Sequence, residues 1–246
     1  MKIVKTRDYD EMCDLAAQRI IKQVKSKSNS VLGLATGSTP LGVYQRLVSD
    51  YRQGDLSYDR VQTFNLDEYV GLSPDHPNSY CYYMRENLFS HLDLQPANTH
   101  LPKGEVGEEV CRQYEEKITK AGGIDLQILG LGLNGHIGFN EPGTSFSSRT
   151  HVVELDDSTR IANQRFFNSL DEVPTHAVTM GIATIMESRE ILLLVQGEKK
   201  ADTLQRLLEG EITESLPGSV LRRHPRVTLI ADEGALSKVE TSHLNS

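Results

Sequence analysis

The chain lacks most of the signatures that mark a membrane, secreted, metal-binding or nucleic-acid-binding protein. Its longest purely aliphatic run is residues 191–195, far short of the ~20 residues a helix needs to span a bilayer. Only three cysteines occur, Cys13, Cys81 and Cys111, far apart and without a C-x-x-C pair. So sparse and odd a set points to reduced thiols and a cytoplasmic setting, not a disulfide framework. The opening stretch MKIVKTRDYDEM has no apolar core of the kind a signal peptide needs. Positive charge is in deficit: 26 Lys and Arg against 34 Asp and Glu leave a net charge of −8. Such a chain has no general electrostatic attraction for nucleic acid, so an anionic ligand must be held by a local cluster. There is no H-E-x-x-H and no Cys/His quartet, hence no expected metal, and no Walker A or G-x-G-x-x-G, hence no expected nucleotide. No internal repeat, low-complexity tract or Pro/Ser-rich linker divides the 246 residues, so a single domain over 1–246 is expected. A hydrophobic content of 38% suffices for a core at this length.

What is present is an alternation of strand and helix patterns. Asp8 followed by Glu11 has the spacing of a capping box, and Met12, Ala16, Ile20 and Val24 then recur at helical spacing. Residues 30–35 form an apolar run ending in the turn Thr36-Gly37-Ser38-Thr39-Pro40, with Pro40 suited to the first position of a helix capped by Thr39 and running to about residue 51. Further strands are expected at 61–66, 126–131, 175–180, 190–196 and 226–231, and helices at 78–90, 105–121 and 198–209. This order implies an α/β fold, a doubly wound, mostly parallel sheet with helices on both faces (Rossmann-like). Ligands of such sheets bind beyond the carboxyl ends of the strands, and the polar loops here follow strands.

Three loops and two cations carry the chemistry. The turn at Thr36, Gly37, Ser38 and Thr39 offers backbone N–H groups, a helix N-terminus and hydroxyls to an anion such as phosphate; it is equally an ordinary capped turn. Asp67 and Glu68 follow an apolar strand, where burial can raise a carboxyl pKa toward that of a general base; a solvated loop acid is the simpler reading of either alone. In the third loop, residues 130–142, four glycines lie among polar residues. That suggests backbone packed against a ligand. His136 is suited to proton transfer near neutral pH, with Asn134 and Glu141 placed to orient it or share its proton. Arg165 offers a planar fork to phosphate oxygens and Lys200 a compact charge, though spacing alone does not distinguish them from surface cations.

Taken together, LATGSTP, FNLDEYVGL, HPNSY, GLGLNGHIGFNEPG, SSRTH, DSTRIANQRFF, THAVTMGIATI and HPRVTLIADE resemble the glucosamine-6-phosphate deaminase family over nearly the whole chain. The resemblance implies conversion of glucosamine 6-phosphate to fructose 6-phosphate and ammonia, as in amino-sugar (N-acetylglucosamine) catabolism, without a metal or redox cofactor. It further implies that His136, supported by Glu141, opens the pyranose ring. Asp67 moves the C2 proton to C1, and Thr36 to Thr39 with Arg165 and Lys200 hold the phosphate. The acid–base loops are then expected at one end of the sheet and the anion cradle at the other. Some members carry Asp where this chain has Asn134, and an amide can only orient His136 or bind substrate. In allosteric members the segment after SSRT supplies basic residues for a second sugar phosphate. Here His151 and Val153 stand in those places and the chain ends soon after its last strand, so that activation is expected to be absent. Residues 145–164 are the candidate lid.

Two other functions fit the wider fold. A sugar-lactone hydrolase of the phosphogluconolactonase type needs a base for water but no aldose–ketose step, so it has no reason to exchange the C2 hydrogen. A non-catalytic phosphosugar sensor usually carries a DNA-binding segment, and no helix-turn-helix-sized stretch precedes Asp8. The resemblance implies glucosamine 6-phosphate as the small-molecule partner, and no nucleic acid or membrane is expected; the sequence leaves monomer and homo-oligomer open.

Overall fold

A computed structural model describes residues 1–54 and 56–240, apart from the side chains of residues 158, 162 and 166. The chain runs through β1 (Lys2–Thr6), α1 (Tyr9–Ser26), β2 (Val31–Leu34), α2 (Ser38–Arg52), β3 (Gln62–Asn65) and β4 (Asp67–Tyr69). It continues through α3 (Tyr80–Asn87), β5 (Thr99–His100), α4 (Glu108–Lys120), β6 (Leu126–Gly130), β7 (His151–Glu154) and α5 (Asp157–Asn163). The last elements are β8 (His176–Thr179), α6 (Ile182–Met186), β9 (Ile191–Val195), α7 (Ala201–Glu209) and β10 (Val227–Asp232). Among the described residues no helix is long and apolar enough to cross a membrane.

Seven strands form one sheet in the order β1-β10-β9-β6-β2-β3-β5, every pairing parallel. Parallel sheets must be covered on both faces, and this one is. Ile20, Val24, Val43 and Leu47 of α1 and α2 pack with Leu32, Leu34 and Ile128 in one layer. Ile118, Leu204 and Leu207 of α4 and α7 pack with Leu129, Leu193 and Leu229 in the other. The continuous run ILLLV of β9 is buried at every position, as a strand covered on both faces requires. The strand order reverses between β2, which leads outward to β3 and β5, and β6, which leads to β9 and β10. That is a topological switch point, where the loops of adjacent strands part to leave a crevice.

The expected doubly wound, mostly parallel sheet is present, but it has a companion. β4, β8 and β7 form a separate three-stranded antiparallel sheet. The apolar run at 175–180 therefore belongs to this second sheet, and β1, a short strand with Lys2 and Lys5 flanking Ile3 and Val4, adds an edge strand beside β10. Leu66 joins the two sheets: its N–H bonds to the Leu34 carbonyl and its own carbonyl accepts from Met180. Local boundaries also moved. Asp8 does cap α1, accepting from the Glu11 N–H, while the Glu11 carboxylate turns to the Arg7 N–H. Helix α2 begins at Ser38 with Gly37 as its cap, so Thr39 is not the cap and Pro40 lies within the first turn, where its missing N–H costs nothing. The helix expected at 78–90 is Tyr80–Asn87 capped by Ser79, followed by a separate 3-10 turn.

Candidate active site

Four neighbouring strands deliver the polar loops to one edge. In the order β9-β6-β2-β3, their carboxyl ends lead respectively to Lys200, to the 131–141 loop, to Thr36–Gly37 with the start of α2, and through Leu66 to Asp67. The groups expected to handle protons and those expected to bind an anion thus interleave along a single edge and do not occupy two separate ends.

The adjacent acids Asp67 and Glu68 meet opposite fates because neighbours on a strand point to opposite faces. Glu68 is buried and accepts from the N–H groups of Tyr69, Tyr80 and Cys81; it closes the N-terminus of α3 and is occupied structurally. Asp67 is 7% exposed and accepts no hydrogen bond from a described residue. Burial, with a smaller push from the Glu68 charge, raises its carboxyl pKa to about 8. It faces the glycine-rich loop: a Cβ on Gly138 would lie 3.7 Å from Asp67 Oδ2. Thr179 fixes that approach. It pairs with Asp67 across β4 and β8, and its hydroxyl accepts the Phe139 N–H at 3.0 Å. Asn140 ties the loop to β8 again by donating to the carbonyls of Ile137 and Met180.

Within the loop, Asn134 is the organiser. Its amide donates to Glu141 Oε2 at 2.7 Å while its carbonyl accepts the His136 N–H at 3.1 Å. His136 Nδ1 lies 3.3 Å from the same Glu141 oxygen, close enough for an ion pair but outside hydrogen-bond geometry. Gly132 is needed for this packing, since a Cβ there would meet the His136 ring at 2.5 Å. The other Glu141 oxygen accepts from the Thr159 hydroxyl on α5 at 2.6 Å. Burial alone would raise the Glu141 pKa. The His136 contact and the two hydrogen-bond donors outweigh it and hold the carboxyl below its usual range.

The cations stand together beside this loop. Lys200 Nζ donates to the Leu131 carbonyl at 2.6 Å. Burial, and then the nearby charge of Arg165, push its pKa down to about 8. Two like charges drawn together next to a strand end form a site that an anion would relieve. Arg165 sits exposed in a 3-10 turn, Gln164–Phe166, after α5. Across β6 from β9, the turn from Thr36 to Thr39 presents the first turn of α2, whose N–H groups have no intrahelical acceptor and whose Gly37 cap supplies no side chain.

Sequence reasoning named Asp67, Asn134, His136, Glu141 and Lys200, and the structure brings them to one edge. It missed Thr159 and Thr179, single hydroxyls whose importance depends on distant pairings that no local pattern signals. His151 falls on β7 and bonds the Arg149 carbonyl through Nδ1. Arg149 itself is held by Glu115 and Glu187.

A family model described as glucosamine-6-phosphate isomerases/6-phosphogluconolactonase matches residues 6–230. A glucosamine-6-phosphate deaminase of Geobacillus sp. (strain WCH70) is 59% identical over 241 residues, covering 97% of this chain and 96% of its own length. Glucosamine-6-phosphate deaminase 2 of Bacillus subtilis (strain 168) is 51% identical, covering 98% and 99% respectively. Among solved structures, a monomeric glucosamine-6-phosphate deaminase superposes with a TM-score of 0.95 at 48% identity, over 97% of this chain and all of that one. A 6-phosphogluconolactonase from Thermotoga maritima shares the fold, with a TM-score of 0.74 at 23% identity over 94% and 99% of the two chains.

Proposed function

This chain belongs to the glucosamine-6-phosphate isomerase/6-phosphogluconolactonase family, and from that premise we propose how its site acts as a glucosamine-6-phosphate deaminase, releasing fructose 6-phosphate and ammonia. The observation that carries the reading is Asp67: a buried carboxylate with no hydrogen-bond donor from the described residues, facing a loop that holds a histidine and a second, well-solvated-by-protein acid.

His136 passes a proton between the anomeric hydroxyl and the ring oxygen, opening the sugar. Glu141, kept ionised by its donors, steadies the positive charge His136 carries in between. Asn134 orients both and transfers no proton. Asp67 then removes the C2 proton while one proton of the C2 ammonium passes to the C1 carbonyl oxygen, giving an enolamine, and Asp67 returns its proton to C1. The resulting C2 iminium takes up water and releases ammonia, leaving the ketose. As a base Asp67 must be ionised, and the C2 ammonium of the arriving substrate favours that form. The phosphate sits among Lys200, Arg165 and the turn Thr36-Gly37-Ser38-Thr39, where the helix N-terminus adds to the two charges. Helix α5, tethered through Thr159 to Glu141, is assigned as part of the cover over the site.

The chain works as one α/β domain, and its three free thiols suit a cytoplasmic setting. With Arg149 bound to two carboxylates and His151 and Val153 alongside, no second sugar-phosphate site is assigned. A coupled assay for fructose 6-phosphate with purified protein, run beside C2 hydrogen exchange in deuterated water, tests the reaction. Ammonia release with exchange at C2 supports it, whereas lactone hydrolysis without exchange would replace it.

A further inference from the structure

The carbonyls of the anion loop are held by phenols. Tyr44 Oη donates to the Ala35 carbonyl at 2.5 Å and Tyr83 Oη to that of Gly37 at 2.6 Å. Tyr9 Oη lies 2.9 Å from the Ser38 carbonyl and 3.1 Å from that of Thr39. The three rings come from three helices: α2, α3 and α1. In a trans peptide the carbonyl and the following N–H point in opposite directions. Bonding the carbonyls of Ala35, Gly37 and Ser38 inward therefore aims the N–H groups of Thr36, Ser38 and Thr39 the other way.

The Tyr9 hydroxyl does more than touch the surface of α2. It also accepts the Gly42 N–H at 2.9 Å, the group that would otherwise close the first helical turn on Ser38. Tyr9 is thus inserted into that turn. Gly42 has to be a glycine for this, because a Cβ there would meet Cys13 Sγ at 2.6 Å and Tyr9 Oη at 2.9 Å. Gly37 supplies the positive φ of 91° that lets the chain leave β2 and enter the helix in this geometry. Burial raises the pKa of all three phenols, so each stays a donor at any working pH.

We propose that Tyr9 and Tyr83 are positioning residues of the phosphate subsite, their hydroxyls turning the loop's carbonyls away from the anion and presenting its N–H groups to it. Neither touches the reacting carbons. This rests on the reading of Thr36 to Thr39 as the phosphate loop, and its test uses a ligand that needs no turnover. Inorganic phosphate binding is measured by calorimetry on wild type, Tyr83→Phe and Tyr9→Phe, together with KM and kcat for glucosamine 6-phosphate. Each lost hydroxyl should weaken phosphate binding and raise KM about three- to tenfold, with kcat within about twofold. Unchanged phosphate affinity in both variants overturns the assignment, as does a fall in kcat with KM and phosphate binding unmoved. Tyr9 and Tyr83 stand on different helices, so if one variant fails to fold the other still decides. Wild-type protein that binds phosphate without releasing ammonia would sink the deaminase reading while leaving this one standing.

Discussion

Replacing Asp67 by Asn tests the proposed base through stability as well as turnover. In the folded chain the Asp67 carboxyl holds its proton up to about pH 8, against an ordinary value of 3.8. Between those limits the folded state binds one proton that the unfolded state has released, so raising the pH favours unfolding. The gap is about 4 units, and at 1.36 kcal/mol per unit the ceiling is about 6 kcal/mol. Water entering an open site and relaxation around the charge leave a few kcal/mol of that. Asn has the same shape and no charge to desolvate. The variant should therefore be the more stable protein at pH 8, by several degrees in melting temperature at the usual 2–4 °C per kcal/mol for a chain of this size. The advantage should shrink as pH falls toward 5, with a slope approaching one proton. Urea unfolding of both proteins at half-unit steps from pH 5 to 8.5 measures it. The same substitution should cut kcat by at least about 10²–10⁴, as loss of a general base does. A stability difference that is independent of pH, or a wild type that is more stable at pH 8, would refute the desolvated carboxylate. Substantial residual turnover would remove Asp67 from the base role.

Four further outcomes follow from the same geometry. Asp67→Glu keeps the charge but moves it outward by one methylene, and a displacement of about 1 Å costs on the order of 10² in rate; kcat should fall by that factor while the pH dependence of stability persists, and near-wild-type turnover would contradict it. Because Asp67 must lose a proton and Lys200 must keep one, both near pH 8, kcat/KM of the wild type should be bell-shaped with its maximum there. Lys200→Gln should raise KM and flatten the alkaline limb, and a limb that persists unchanged assigns it elsewhere. Thr159→Val removes one hydrogen bond to Glu141, so kcat should drop about two- to tenfold, with a larger loss in Glu141→Gln; equal rates in Thr159→Val and wild type would show that α5 does not hold that acid. Initial-rate curves should be hyperbolic and indifferent to N-acetylglucosamine 6-phosphate, and sigmoidal curves that this compound abolishes would restore a second site.

The parallel sheet was legible because its signals are local: apolar runs, glycine turns and amphipathic helices, each closing its own crossover. The second sheet was not. β4 is three residues long and consists of Asp67, Glu68 and Tyr69, a segment that looks like a polar loop until Thr179, Val178 and Ala177 arrive to pair with it. The N-terminus of α2 misled for a different reason. Proline is tolerated anywhere in a first turn, so Pro40 marked the helix start only loosely, and the phenol that reshapes this turn comes from α1. Of the site, the residues with chemistry of their own could be named from sequence. Those that act by placing others, Thr159, Thr179, Tyr9 and Tyr83, could not, because a lone hydroxyl carries no pattern.

The choice between Asp67 and Glu68 shows what the three-dimensional pairing adds. In sequence they are two carboxylates of equal standing after one strand. Extending the strand by antiparallel pairing forces their side chains to opposite faces. One is then spent on the amides at the start of α3, and the other is left against the glycine-rich loop with no hydrogen bond from a described residue. Burial raises the pKa of both. Only Glu68 has backbone donors pulling the other way, so Asp67 is the carboxyl left to titrate near pH 8. The hinge that produces this is made of backbone: Leu66 donates to Leu34 in the parallel sheet and accepts from Met180 in the antiparallel one. A side-chain change at Leu66 leaves those two bonds in place, which ties the position of the base to the register of both sheets.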